Sequence, residues 1–489
     1  MTRKVSRRSL LRAAIGGAGL YLLPSARAAL GYQANERLQL AILGHMYVAD
    51  HFFTSSHVYD GVVVTALCHP DQRKIPEVFA KWTAQARQGA EVPDPARRRA
   101  GEYYQRLLDR KPPVYADFRK MLEQRGDGID AMVVSMFDHY HGVACGRAMR
   151  LGKHVFSERP LGLSIRESRA LRTMAADRKV ATSIRNPGNA SSQFRRGVEL
   201  VREGAIGPVE QVHVWFDRPG ADLKAPPEGA ERVPEGLDWD LWLGPAADRP
   251  YHSAWMAYAQ WRDFSNGGIG TFGPHATNLA FAALRIDELW RPGPDGRCQG
   301  TIRVAAECPT RNRLSFPLWE RIRWTVPARG DLPPVELIWR HGQDFGPGAR
   351  EQLETLLAER GVPADQRGKL LGYAGAILLG SKGALVADDH NVNVTLLPTA
   401  DYRDVDVSKP LRLPVSRGHY ADWFVACRGG DLPWAHYGYA GPLSELLMLG
   451  NLATQFDAEL EYDPLAGKIV NHAEADARLG YEYRQGWTL

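Results

Sequence analysis

Short apolar runs alternate with helical segments through the first 160 residues, and this alternation constrains the fold more than any other feature of the sequence. Residues 38–43 and 61–67 are continuous apolar runs, as expected of strands that are buried on both faces. Further strand candidates at 129–136 and 154–157 flank a helical segment at 142–151. Such alternation predicts a parallel, doubly wound α/β sheet, whose ligands bind beyond the carboxyl ends of the strands.

The rest of the chain has a different pattern. A helix and a short strand are expected at 164–178 and 180–184, and alternating polar and apolar runs then occur at 210–216, 301–306, 320–326, 335–339 and 376–386. These runs predict an open, mostly antiparallel sheet with one packed face and one face that is able to meet a partner. We therefore predict two domains, at 36–160 and 161–489.

Residues 1–28 carry the pattern of an export signal. Paired arginines stand in Ser6-Arg7-Arg8-Ser9-Leu10-Leu11, an apolar stretch follows at 13–23, and Ala26-Arg27-Ala28 is a small-residue cleavage site. The stretch is shorter than the ~20 residues that span a bilayer. We predict a twin-arginine signal peptide cleaved near Ala28, with the translocase as a transient partner, a periplasmic protein and no stable membrane span. The alternative is a basic amphipathic N-terminal helix.

Charge and cysteine content exclude several classes of protein. The formal net charge is +5, and the leader supplies it through Arg3, Lys4, Arg7, Arg8 and Arg12. The mature chain is therefore near neutral, and we do not expect nucleic acid as a partner. The five cysteines form no CxxC pair, so we expect neither a metal site nor a dense disulfide framework. Cys298 and Cys308 could pair in an oxidising compartment.

A series of motifs runs in order along nearly the whole mature chain. It comprises the strand ending at Gly44, Phe137-Asp138-His139-Tyr140-His141, Glu158-Arg159-Pro160, Gly204-Ala205-Ile206-Gly207, Leu237-Asp238-Trp239-Asp240 and Gly270-Thr271-Phe272-Gly273-Pro274-His275. In this order the motifs resemble the Gfo/Idh/MocA oxidoreductases, and most of all their exported branch. The resemblance implies an N-terminal Rossmann domain that binds NAD or NADP. It also implies a C-terminal α/β domain that covers a sugar, cyclitol or derivative and forms a homo-oligomer through its sheet.

The expected nucleotide-binding residues depart from the family's pattern. Gly44 fills the first glycine position of the phosphate loop, but Met46 stands where the second glycine is expected. His69 replaces the acidic residue that grips the adenosine ribose, and the nearby Arg73 and Lys74 slightly favour NADP. A solvated, basic helix start is the alternative for this segment. The resemblance assigns further cofactor contacts to Asp138, His139, His141, Glu158 and Pro160. For Asp138 a helix N-cap is the alternative role, with incidental histidines beside it.

The expected catalytic residues also differ from the family's usual set. Arg159 stands in place of a lysine that polarises the substrate hydroxyl, and arginine is a poor proton acceptor. Thr271 stands in place of an aspartate four residues before His275. We predict His275 as the general acid or base, with Asn278 orienting the substrate. Predicted substrate contacts are Asn186, Trp261 and Arg262, and Trp239 and Trp242 offer either flat faces to a sugar or core packing.

The leading functional prediction is a periplasmic NAD(P)-dependent oxidoreductase that holds its nucleotide tightly. Two alternatives stay open. In the first, the bound cofactor transiently oxidises a hydroxyl so that a glycosidic bond is cleaved by elimination, without net consumption of nucleotide. In the second, the chain is a non-catalytic glycan-binding or scaffold descendant. The departures at Met46, His69, Arg159 and Thr271 motivate this last reading.

Overall fold

Two β-sheets organise the chain in the computed structural model, which describes residues 37–44, 61–405, 409 and 411–489. The predicted export signal and Met46 lie outside these residues. In chain order the strands are β1 Leu38–Gly44, β2 Val62–Cys68, β3 Val114–Tyr115, β4 Ala131–Ser135, β5 His154–Ser157, β6 Thr182–Ile184, β7 Val209–Asp217, β8 Ile302–Glu307, β9 Glu320–Val326, β10 Val335–Gly342, β11 Ala374–Gly380, β12 Ala384–Ala387, β13 Val394–Leu397, β14 Leu460–Asp463 and β15 Lys468–Ile469.

The α-helices of the described residues connect these strands or pack on them. They are α1 Ile75–Glu91, α2 Pro95–Arg110, α3 Phe118–Arg125, α4 Asp138–Arg150, α5 Ile165–Arg178, α6 Ser192–Arg202, α7 Trp239–Leu243, α8 Gly267–Ala276, α9 Asn278–Ala283, α10 Ala349–Ala358, α11 Ala364–Leu371, α12 His419–Cys427, α13 Tyr437–Ala453 and α14 Ala473–Ala477. Within the described ranges, no helix combines the length and the apolar character needed to cross a membrane.

The first sheet is parallel throughout and has the strand order β3-β2-β1-β4-β5-β6. Its central strands are buried along nearly their whole length, which explains their continuous apolar sequences. This confirms the predicted doubly wound arrangement. The sixth strand, β6, lies beyond residue 160 and pairs with β5, so this sheet extends past the predicted domain boundary.

The second sheet has nine strands in the order β13-β12-β11-β7-β10-β9-β8-β14-β15. Only the β7–β10 pair is parallel among its described strands, which confirms the expected open, mostly antiparallel sheet. One detail of the prediction was wrong: residues 376–386 form a hairpin of β11 and β12, not one strand. The sequence signal of the turn is Ser381-Lys382-Gly383, small and polar residues between two apolar arms, and the alternation pattern does not take it into account.

The two faces of the second sheet differ in their cover. On one face, helices α6, α8, α9 and α13 build the main hydrophobic core against β7 to β10. On the other face, Leu353 and Leu357 of α10 pack on Trp215, Ile377 and Val386. Beyond that patch, alternate residues of β9 face outward, including the exposed Arg323. The outer face is therefore only partly available to a partner.

Candidate active site

The site begins at the carboxyl end of β1, where Gly44 has a φ of +105°. A Cβ at this position would overlap the carbonyl oxygen of Ser135, at the end of the neighbouring strand β4. Only glycine combines such a φ with so close an approach of the two strand ends. The point lies between β1 and β4, where the strand order of a doubly wound sheet reverses and dinucleotides bind.

The carboxyl end of β5 brings Arg159 next to the backbone of Thr271. The Arg159 guanidinium donates through Nε to the Thr271 carbonyl oxygen at 3.3 Å and binds the Glu158 carboxylate at 2.7 Å. The other Glu158 oxygen lies 3.8 Å from Nε of Arg185, beyond the next strand. The Arg159–Pro160 peptide bond is cis. Arg159 is thus held on both sides and contacts the backbone of Thr271 rather than its side chain.

His275 lies on α8 and is almost completely buried, at 1% exposure. Its Nδ1 lies 3.1 Å from Oδ1 of Asn186, whose Nδ2 donates to the Pro274 carbonyl oxygen at 2.6 Å. The amide is thereby oriented so that Nδ1 of His275 donates and Nε2 keeps a lone pair. Burial, followed by the positive charges of Arg159 and other neighbours, lowers the pKa of His275 well below its usual value. The ring is therefore neutral near pH 7.

The structure adds three residues that sequence reasoning missed: Tyr373, Asp389 and His390. The His390 ring lies 4.6 Å from the His275 ring, measured between centroids. Nδ1 of His390 lies 3.1 Å from Oδ1 of Asp389. The Tyr373 hydroxyl also donates a hydrogen bond to the Asp389 carboxylate. In the sequence, the available signal for this part of the site was the pair Asp389 and His390 shortly after the apolar run of β12. Their contact with α8 joins segments more than a hundred residues apart, which no local pattern reveals.

His139 and His141 lie inside the first turn of α4, whereas the predicted helix began only at residue 142. The His139 ring lies among aromatic side chains, with its nitrogens 3.1 Å and 3.4 Å from the carbonyl oxygens of Trp242 and Phe264. Burial lowers the pKa of His139 to about 4. The His141 nitrogens lie 2.9 Å and 3.0 Å from the carbonyl oxygens of Pro160 and Met136. Both rings therefore face protein carbonyls rather than an open cleft.

Asp138 connects α4 to the segment before α8. Its carboxylate accepts from the backbone N–H of Asn266 at 2.8 Å and from Oγ of Ser265 at 3.3 Å. The residue at the N-cap of α4 is Phe137, so Asp138 does not have the capping role that was the alternative. Burial raises the pKa of Asp138, although these hydrogen bonds oppose the shift. Asp138 thus fixes the start of the helix that carries His275.

Asn278 and Trp261 are occupied within the protein. The Asn278 side chain donates to Oδ1 of Asn189 and accepts from the Tyr439 hydroxyl at 2.7 Å, and it is fully buried. Trp261 donates through Nε1 to the Ala254 carbonyl oxygen at 2.9 Å and packs in an aromatic cluster. Trp239 and Trp242 stack on each other at 4.9 Å in the same region, which gives them the core role that was their alternative.

Arg262 lies apart from His275, in a region of its own. Its guanidinium donates to the carbonyl oxygen of Ser315, to Oδ1 of Asn451 and to Oγ1 of Thr454, at 2.8, 2.6 and 2.8 Å. It lines a cavity of ≈ 290 Å³ beside α13, and neither Arg159 nor His275 contributes to the lining. Burial lowers the pKa of Arg262 to about 10. The contacts indicate that Arg262 ties α13 to the loop before α8.

The residues after β2 are also paired internally. Nδ1 of the buried His69 accepts from the backbone N–H of Asp71 at 2.9 Å. The Asp71 carboxylate binds Nε and Nη2 of Arg73, each at 2.7 Å. Burial by itself raises the pKa of Asp71, but these bonds lower it below its usual value. Lys74 pairs with Glu77 at 2.8 Å. The two cations that favoured NADP are therefore each neutralised by a carboxylate.

Comparison with solved structures shows a common fold at low sequence identity. The WlbA dehydrogenase from Bordetella pertussis, solved with NADH and UDP-GlcNAcA, is 13% identical, with a TM-score of 0.50 over 86% of this chain and 97% of that one. An oxidoreductase domain protein from Kribbella flavida is 15% identical, with a TM-score of 0.50 over 87% and 99%. GenD2 from gentamicin A biosynthesis, in complex with NAD, is 15% identical, with a TM-score of 0.50 over 90% and 99%. No curated protein sequence matches the chain.

Two family models match the sequence itself. Residues 38–185 match the NAD-binding Rossmann fold of the oxidoreductase family, and residues 224–325 match its C-terminal alpha/beta domain. Together the matches cover just over half of the chain. The parallel sheet and the open antiparallel sheet agree with these two assignments. The chain therefore belongs to the Gfo/Idh/MocA family of NAD-binding oxidoreductases.

Proposed function

We propose that the chain transfers hydride between a nicotinamide nucleotide and a hydroxyl-bearing carbon of a sugar, cyclitol or related molecule. The observation that carries this proposal is the cluster of Arg159, Asn186 and His275 beside the carboxyl end of β5. Ligands of doubly wound sheets bind at that edge. The WlbA structure, which has the same fold and contains both NADH and a sugar-derived ligand, supports the substrate class.

The residues at the crevice between β1 and β4 fit a dinucleotide. Gly44 leaves no side chain at the strand end, as a backbone that must pass close to a pyrophosphate requires. Glu158 and Pro160 follow β5 at the same edge and would border the nicotinamide end. When bound, the nicotinamide supplies the acceptor or donor of hydride. Arg159 binds a substrate oxygen or carboxylate, and Nε2 of the neutral His275 accepts a hydrogen bond from the reacting hydroxyl.

We propose NAD rather than NADP as the resident nucleotide. The sequence-based preference for NADP depended on the positive charges of Arg73 and Lys74. Because Arg73 binds Asp71 and Lys74 binds Glu77, neither side chain offers an uncompensated charge to a 2′-phosphate.

The proposal also includes export: a twin-arginine leader allows the folded chain to carry its nucleotide to the periplasm. We also propose that the chain forms a homo-oligomer through the uncovered part of the second sheet.

A substrate panel tests the proposed reaction. Mature protein loaded with NAD or NADH is incubated with sugars, uronates, cyclitols and glycosides, and both nicotinamide absorbance and product masses are followed. We expect at least one panel member to change the redox state of the nucleotide, and Arg159→Gln to weaken that reaction. Sugar release without a net redox change would instead indicate redox-assisted cleavage. Nucleotide binding without any conversion across the panel would contradict the proposed activity.

A further inference from the structure

Two histidines face each other at the candidate site, and their partners differ in charge. Their rings lie 4.6 Å apart between centroids, with 37° between the ring planes. Nδ1 of His275 meets the neutral amide of Asn186 at 3.1 Å, whereas Nδ1 of His390 meets the carboxylate of Asp389 at the same distance. A carboxylate stabilises an imidazolium ion and an amide does so far less. The two rings are therefore suited to different roles.

We propose that the Asp389–His390 pair is the acid–base group of this site and that His275 only hydrogen-bonds the reacting hydroxyl. This inference rests on the proposed function. The His390 side chain is 34% exposed, so a substrate can reach the ring. Because Asp389 holds Nδ1, Nε2 is the nitrogen that meets the substrate. His275 is almost completely buried, and the charges of Arg159 and Arg185 oppose its protonation.

In the oxidising direction, the substrate hydroxyl gives its proton to Nε2 of His390. The same carbon gives hydride, with both electrons of its C–H bond, to the nicotinamide. The O–H and C–H bonds break, the second bond of the carbonyl forms, and His390 becomes an imidazolium ion beside the Asp389 carboxylate. Reduction returns the proton and the hydride along the same route.

The groups around His390 are arranged for this role. Asp389, which precedes His390 on the same loop, orients the His390 ring. The hydroxyl of Tyr373, the residue just before β11, donates a hydrogen bond to the Asp389 carboxylate. Burial by itself raises the pKa of Asp389, but the hydrogen bonds from Tyr373 and His390 lower it below its usual value. The carboxylate is therefore ionised near pH 7. The neutral His275 of α8 faces the His390 ring. The charges of Arg159 and Arg185 act on His275 and oppose its protonation. Asp389 is thus a positioning residue for the His390 ring.

The test uses the full mature chain loaded with NAD and the panel substrate that turns over fastest. His390→Gln is expected to lower kcat by about 100-fold or more, as for loss of a general base. His275→Gln should mainly raise KM. Asp389→Asn should lower kcat and leave KM nearly unchanged, because the ring loses the carboxylate that holds Nδ1 and faces the imidazolium ion formed in the step. His252→Gln is the matched control, since His252 pairs with Glu231 at 3.3 Å outside this cluster and should leave kcat unchanged.

A second readout does not depend on turnover. Diethyl pyrocarbonate acylates accessible neutral imidazoles, and peptide masses identify the modified residues. We expect His390 to be modified much faster than the buried His275, and to become protected by NADH together with the product. His252 should react equally with and without these ligands.

The outcomes separate the inference from the proposed function. Near wild-type kcat in His390→Gln, together with a large loss of kcat in His275→Gln, would overturn the role of the pair. Equal modification of His390 with and without ligands would also overturn it. A chain that binds NAD but converts no panel member would refute the proposed function itself, and the acid–base role would fall with it.

Discussion

At the scale of single residues, His275 depends on the two side chains beside it. The Asn186 amide orients the ring through Nδ1 at 3.1 Å, and the Arg159 guanidinium adds a positive charge that opposes protonation. Burial is the largest cause of the low pKa of His275, and the charge of Arg159 is the next.

The charge of Arg159 adds to burial in opposing the protonation of His275, which gives a first prediction. In Arg159→Leu, one of the positive charges that oppose protonation is removed, so the pKa of His275 should rise, while burial still keeps it below the usual value. An NMR titration of ring-labelled histidines measures this shift. Arg166→Leu, on the exposed side of α5, is the control and should leave the His275 signals unchanged. An unchanged His275 titration in Arg159→Leu would contradict the account.

The backbone at Gly44 gives a second prediction at this scale. Gly44→Ala should lower the free energy of unfolding by about 2 kcal/mol or more, because the positive φ is strained and the Cβ meets the Ser135 carbonyl. Denaturant unfolding measures the change. Gly126→Ala is the matched control, since its Cβ would enter open space, and it should change stability by less than about 0.5 kcal/mol. Equal stabilities of the two variants would show that the β1–β4 crevice is looser than described.

The sequence indicates where the site lies better than it indicates the site's chemistry. Arg159, Thr271 and His275 lie together, because a motif at a strand end and a motif at a helix meet at one edge of a parallel sheet. Asp389 and His390 were missed, since they reach the site from the second sheet through contacts that periodicity cannot show. His139 and Arg262 were assigned to ligands, but the structure engages them in internal hydrogen bonds.

At the scale of elements, apolar runs correctly predicted β1, β2 and β4, because strands buried on both faces need apolar side chains along nearly their whole length. Prediction failed at two boundaries. The run at 376–386 contains a turn signal, Ser381-Lys382-Gly383, that the alternation pattern does not take into account. The first turn of α4 carries polar residues and resembles a loop, and at this helix start tertiary contacts outweigh local preference.

Helix α5 follows the loop that contains Pro160, and its start provides a prediction for this scale. Oγ of Ser164 accepts from the backbone N–H of Glu167 at 3.2 Å, and the Glu167 carboxylate accepts from the backbone N–H of Ser164 at 3.1 Å. Ser164→Ala should therefore cost about 1 kcal/mol of stability, and Ser164→Asp should retain most of it. Thermal or denaturant unfolding of both variants checks this. Equal losses in both would exclude the cap as the cause.

At the scale of the whole molecule, several buried neutral histidines couple stability to pH. Burial, as the largest cause, lowers the pKa of His139 and His436 to about 4 and that of His213 and His419 to about 3. In the unfolded chain these rings bind a proton near pH 6.5. Because the folded state resists that proton, stability is present at pH 7 and is lost as pH falls below about 6.5. At pH 5 each ring should contribute a loss of about 2 kcal/mol.

Denaturant unfolding at pH 7 and at pH 5 measures this dependence. His139→Gln should lower stability at pH 7 but flatten the slope with pH, since one proton fewer is taken up on unfolding. Gly126→Ala, which adds a methyl group in open space and changes no titratable group, should leave the slope as in the natural chain. A stability that does not fall between pH 7 and pH 5 would show that these rings are already protonated in the folded protein.

The central claim is that the parallel sheet holds NAD, and one measurement tests it most directly. The protein is purified without added nucleotide and denatured, and the released small molecules are identified by absorbance and mass. The account predicts about one equivalent of NAD per chain. A nucleotide-free protein that also fails to bind added NAD or NADP would contradict it.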